Sequence, residues 1–149
     1  MQVTVARSSG FCPGVKQALR LAEATLKKKA GPVYTIGPLI HNPQEVNRLQ
    51  ATGLQILPDR PEQFKLLSLA GSWVILRSHG ASPALRTLLE KKKANVVDAT
   101  CAMVQSAQES AVKLAEDGYQ LLIVGSPDHP EVQAIQAYAG EAFVTEDAG

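Results

Sequence analysis

Short apolar runs alternate with helix-period stretches along most of the chain. Residues 3–6 (Val-Thr-Val-Ala) predict a strand, followed by a Gly/Pro-rich turn over 8–14. Val15, Ala18, Leu19, Ala22 and Leu26 then recur at helical spacing, ending in Lys27, Lys28 and Lys29 with Gly31 as the stop. Val33–Ile36 predicts a second strand. After it, Asn42 is placed as an N-cap, Pro43 at the first helical position and Glu45 as the far end of a capping box. Val46 and Leu49 face inward on that helix, and Gly53 stops it. Leu54–Leu57 is a short strand, and 58–69 is a connector with a helical turn over 62–67. Trp73–Leu76 is continuously apolar, as a strand covered on both faces must be.

Ser82-Pro83 opens the next helix, with Leu85, Leu88 and Leu89 inward. Val96-Val97 is a strand running into Asp98-Ala99-Thr100-Cys101, and Val104, Ala107, Ala111 and Leu114 mark the helix behind it. Residues 120–124 form a strand. Asp128 then serves as N-cap and Glu131 as its capping-box partner for a helix carrying Val132, Ile135 and Ala139. Residues 142–144 are the last strand. This alternation predicts an α/β fold of parallel sheets with covering helices. The sequence ends just after that strand without a covering helix, which reads as a truncated chain.

Composition narrows the partners. In 149 residues, 15 Lys+Arg against 14 Asp+Glu give a net charge of +1, so neither nucleic acid nor an anionic membrane is an expected partner. No apolar run reaches the roughly 18 residues of a membrane span, and the N-terminus lacks the pattern of a secretory signal. Two cysteines do not make a disulfide scaffold, and the expected location is cytoplasmic, where a thiol is reactive, metal-binding or buried.

The chemistry-bearing residues share one position. Cys12, His41, His79, Cys101 and His129 all fall in loops expected to follow a strand and precede a helix. In a parallel sheet those loops lie at the carboxyl ends of the strands, where ligands bind and helix N-termini attract anions. Each residue also has a bland reading: Cys12 and Cys101 as small packing residues, His41 and His79 as turn residues, and Asp128 and Glu131 as a helix cap. The separation of Cys12 from Cys101 is unlike a zinc ribbon or a CxxC pair. Walker A, GxGxxG, GxSxG and HExxH patterns are absent.

Gly10-Phe11-Cys12-Pro13-Gly14-Val15, His41-Asn42, Ser78-His79-Gly80, Asp98-Ala99-Thr100-Cys101 and His129-Pro130-Glu131-Val132 stand in order. Together they resemble the 4-hydroxy-3-methylbut-2-enyl diphosphate reductase (IspH/LytB) family over nearly the whole chain. The resemblance implies a 4Fe-4S cluster, with Cys12 and Cys101 as two of its three cysteine ligands. It implies diphosphate binding by His41, His79 and His129, and proton relay by Glu131. The reaction implied is reductive dehydroxylation to isopentenyl and dimethylallyl diphosphate in the non-mevalonate pathway of isoprenoid biosynthesis, with electrons from a ferredoxin- or flavodoxin-type donor.

The family chain is about twice as long and folds as three similar α/β units. Here 1–101 corresponds to the first unit and 102–149 to part of the second, with the strand within 1–12 belonging to the missing third. The third cysteine lies beyond this sequence, so the chain alone is expected to be inactive unless a C-terminal half or a second copy completes it. Two other readings remain open. A non-catalytic module binding a phosphorylated ligand or a protein would bring the histidines together with the thiols buried or apart. A zinc or redox protein would place the two sulfurs within about 4 Å of each other.

Overall fold

The computed structural model describes every residue except Ser8, Lys29, Ala148 and Gly149. The expected turn at Ser8, the helix end at Lys29 and the chain end at 148–149 lie outside the described residues. The elements, in chain order, are α1 (Pro13–Lys28), β1 (Val33–Ile36), α2 (Pro43–Ala51) and β2 (Leu54–Leu57). A 3-10 turn (Pro61–Phe64), β3 (Trp73–Leu76), α3 (Pro83–Lys91) and β4 (Asn95–Asp98) follow, then α4 (Ala102–Glu116), β5 (Leu121–Val124), α5 (Pro130–Ala139) and β6 (Ala142–Thr145). The strands form two sheets, one ordered β2-β1-β3-β4 and one pairing β5 with β6, and every pairing is parallel. The expected α/β class of parallel sheets with covering helices is the fold observed.

Strand periodicity divides the first sheet between two cores. Val33 and Ile75 join Ala18, Ala22, Leu26, Leu39, Leu49 and Leu54 on one face. Tyr34, Ile36, Val74 and Leu76 join Phe64, Leu69 and Leu89 on the other. A central parallel strand covered on both faces has no polar side to show, which explains why β1 is buried at all four positions.

The second sheet is different. Along β5 the exposed residues are Leu122 and Val124, and Phe143 of β6 lies opposite Leu122 in the register. These three apolar side chains are 61%, 56% and 64% exposed. One face of this two-stranded sheet packs on its helices while the other is bare, an arrangement that parallel strands rarely tolerate.

Four expectations change. Residues 3–6 form no strand, and Val3 and Val5 are 71% and 72% exposed. A strand needs a neighbour for its backbone N–H and C=O groups, and none is present here. The cap of α5 is His129, not Asp128. Pro130 occupies the first helical position, as Pro43 and Pro83 do in α2 and α3, and this makes the preceding residue the cap. The connector's helical turn falls at Pro61–Phe64 instead of 62–67. On α4, Leu114 is 40% exposed and Gln108 lies inward beside Val104 and Ala111.

The bare face should make β5 and β6 open more readily than the first sheet. Hydrogen-exchange mass spectrometry is expected to show the amides of 121–124 and 142–145 exchanging faster than those of 33–36 and 73–76, by about tenfold or more. Equal protection in both sheets would contradict this.

Candidate functional site

All four strands of the first sheet run the same way, so their C-terminal loops emerge along one edge, and hydrogen bonds continue past the strand ends to stitch those loops together. The Ser78 N–H donates to the Leu39 carbonyl (3.4 Å), as does the Ser78 hydroxyl (3.4 Å). The Cys101 N–H donates to the Ser78 carbonyl (3.0 Å). The His41, His79 and Cys101 loops are therefore fixed in series. Gly80, beside His79, has φ +85°, a conformation that glycine adopts without strain, and any Cβ there would press on the Gln108 side chain of α4.

The three imidazoles come together. Ring centroids are 4.3 Å apart for His41 and His79, 5.8 Å for His41 and His129, and 5.7 Å for His79 and His129. His129 arrives from the other sheet as the N-cap of α5. Its Nδ1 accepts a hydrogen bond from the Glu131 N–H at 3.3 Å, so in this geometry Nδ1 carries no proton and Nε2 is the donor. Glu131 stands in the first turn of α5, half-buried, two residues from that cap.

His79 is the most perturbed of the three. Burial first, then the positive charges of His41, Arg77 and His129, push its pKa down to about 4. Its Nδ1 is buried with no hydrogen-bond partner among the described residues. The cluster thus holds a neutral imidazole at pH 7 where a positive charge is unwelcome until an anion arrives.

The two thiols occupy neighbouring helix starts. Cys12 immediately precedes α1 and is exposed; Cys101 is the N-cap of α4, half-buried and without a side-chain capping bond. A Cβ placed on Gly14, in the first turn of α1, would lie 2.5 Å from Cys101 Sγ. The absence of a side chain at 14 is what lets the starts of α1 and α4 approach each other. Among the described residues no group of three or more His, Cys, Asp or Glu side chains is placed to hold a metal ion. The histidines foreseen at strand ends are therefore brought together, and Cys101 shares their edge. Cys12 follows no strand here.

One supporting network was not foreseen. Asp98 Oδ1 accepts hydrogen bonds from the Thr100 N–H (2.9 Å) and the Thr100 hydroxyl, and Asp98 Oδ2 pairs with the Arg86 guanidinium at 2.7 Å. Burial pushes the Asp98 carboxyl up, but these hydrogen bonds outweigh it and hold it below the usual range. The Asp-Ala-Thr spacing is the sequence signal of this Asx turn.

A parallel α/β scaffold with an imidazole cluster and the Cys101 thiol at its strand ends defines the class of a ligand-binding or catalytic α/β protein. The family described as LytB protein matches residues 3–148, and the chain belongs to it. It is 45% identical over 138 residues to a 4-hydroxy-3-methylbut-2-enyl diphosphate reductase of Aquifex aeolicus, covering 93% of this chain and 46% of that protein. A reductase of the same name from Geobacter sulfurreducens is 42% identical, with 93% and 47% covered. A solved structure of (E)-4-hydroxy-3-methyl-but-2-enyl diphosphate reductase superposes with a TM-score of 0.82 at 43% identity, over 98% of this chain and 51% of that one. The Plasmodium falciparum E-1-hydroxy-2-methyl-but-2-enyl-4-diphosphate reductase gives 0.86 at 27% identity, over 95% and 43%. The chain spans about half the length of the curated relatives it matches.

The depressed pKa of His79 makes stability depend on pH. The unfolded imidazole binds its proton near the ordinary 6.5, the folded one near 4. Between those values the unfolded state holds more protons, so stability falls as pH drops from 6.5 towards 4. Urea titrations across this window should show a steeper loss in the parent chain than in a His79→Gln variant. Parallel pH profiles would contradict the shift.

Proposed function

We propose that this chain is the part of a 4-hydroxy-3-methylbut-2-enyl diphosphate reductase that binds the substrate's diphosphate and contributes two thiolates to its redox centre. The convergence of His41, His79 and His129 carries this reading, because three clustered imidazoles, one of them capping α5, suit a polyanion. His129 presents Nε2–H as a donor, held by its cap. His79 stays neutral until a phosphate oxygen compensates its proton, and binding then raises its pKa. Glu131, beside His129, is the carboxyl that relays a proton to the leaving hydroxyl. The overall change consumes two electrons and two protons and releases the hydroxyl as water.

Thiolates are the chemistry an iron–sulfur cluster requires, but Cys12 and Cys101 are the sequence's entire complement of two. That donor set does not hold a 4Fe-4S cluster by itself, and no redox step is assigned to these residues alone. The remaining ligands come from outside residues 1–149, on further reductase sequence or a second copy of the chain. In this reading 1–101 and 102–149 are a first α/β unit and part of a second, and the bare face of β5–β6 is where further reductase sequence packs. A ferredoxin- or flavodoxin-type protein delivers the electrons.

The second reading is a module that binds a phosphorylated ligand without catalysis, for which the clustered imidazoles alone suffice.

Isothermal titration with inorganic diphosphate tests the shared core of both readings. The parent chain should bind, and His79→Gln should weaken binding by about 10-fold or more, the scale of one charge-assisted hydrogen bond. Unchanged affinity would overturn the assignment. Anaerobic iron–sulfide reconstitution beside Cys101→Ala tests the thiolate donors: iron retained by the parent and lost in the variant supports the reductase reading with a second copy completing the site, and no iron in either means that the remaining ligands must come from further reductase sequence.

A further inference from the structure

We infer that Arg86 is a positioning residue that holds the Cys101 turn and the His129-bearing helix to the same point of the first sheet. Arg86 lies on α3, the helix between β3 and β4, and carries none of the motif residues itself.

Its guanidinium reaches two targets. One terminal nitrogen meets Asp98 Oδ2 at 2.7 Å, with both side chains about one third exposed. The other oxygen of Asp98 holds Thr100 through its N–H and its hydroxyl. Thr100 is 2% exposed and directly precedes Cys101. Asp98 therefore gives one oxygen to the arginine and the other to the turn that presents the thiol. Tyr138 on α5, the helix capped by His129, lines the same cleft as Arg86, and its phenol lies close enough to act on the guanidinium electrostatically.

Arg86 also reaches into a cleft of about 440 Å3 whose other walls come from α4 and α5, among them Gln105, Gln108, Val112 and Tyr138. Within it the Arg86 Nε and Gln108 Nε2 atoms are buried without hydrogen-bond partners among the described residues. The side chain is held at its end by Asp98 of β4 and shares the cleft with Tyr138 of α5, and it is not held along its stem. A planar fork with several donors can serve two partners at fixed angles, which a lysine ammonium cannot do as rigidly. Both partners lead to the candidate site, one through Thr100 to Cys101 and one through α5 to His129.

The contacts are independent of the reductase reading; only the importance attached to the two targets rests on it. The test accordingly has one readout that needs no ligand. Cys101 and Cys12 are alkylated with iodoacetamide in the full chain, and their separate rates are read by mass spectrometry, with exposed Cys12 as the internal reference. Arg86→Gln and Asp98→Asn should each raise the Cys101 rate by about threefold or more and leave the Cys12 rate unchanged. The double variant should go no further than either single one, because both break the same link.

Tyr138→Phe should leave both thiol rates alone and weaken inorganic diphosphate binding about threefold, the scale of one modest hydrogen bond, while Arg86→Gln should show both effects. Arg86→Lys should restore part of the Cys101 protection. Equal acceleration of both thiols, unchanged Cys101 in folded variants, or multiplying effects in the double variant would each overturn the proposal. If Arg86→Gln does not fold, Asp98→Asn and Tyr138→Phe test the same two links separately. Failure of diphosphate binding in the parent chain would count against the functional reading, while the thiol rates would still decide the role of Arg86.

Discussion

The parallel ladder of the first sheet is the constraint on which the site depends. Because β1, β3 and β4 run in the same direction, their C-terminal loops leave along one edge. The same hydrogen bonding continues beyond the strands, from Leu39 to Ser78 and from Ser78 to Cys101. His41, His79 and Cys101 are distant in sequence, yet they leave three successive strands of the sheet, each one strand spacing from the next. Moving any one of these strands by a residue would turn its apolar side chains from one core to the other and break the chain of loops.

Electrostatics then gives the edge its character. With ring centroids of His41 and His129 at 4.3 and 5.7 Å, the half-buried His79 has its pKa pushed down to about 4 by burial first and then by its positive neighbours. The cap of α5 gives His129 a defined donor nitrogen. These features suit an anion that brings several acceptor oxygens and negative charge together. The relatives whose names specify a diphosphate substrate are consistent with that preference.

Much of this was legible in the sequence wherever local chemistry decides the outcome. Asn42-Pro43 and Ser82-Pro83 mark helix starts because proline tolerates the first helical position and the residue before it caps. The same rule applied to His129-Pro130 selects His129, and Asp128 misled because aspartate is the commoner cap. Trp73–Leu76 was readable as a doubly covered strand from its unbroken apolar run. The strand expected at 3–6 failed because a strand is defined by its neighbours, which local pattern cannot supply. Gln108 and Arg86 were invisible for a related reason: their importance comes from contacts with Gly80 and Asp98 across the fold. The strand-end position of the histidines could be read from the sequence, but their convergence required the β5–α5 segment to fold back onto the first sheet.

The most direct test of a single anion site built from the three rings is a nitrogen-15 NMR titration of the histidine side chains with inorganic diphosphate at about pH 7. His41, His79 and His129 should shift together with one dissociation constant, and His79 should move towards its protonated form as the anion binds. Independent shifts with different midpoints, or a His79 that stays neutral at saturation, would contradict that site.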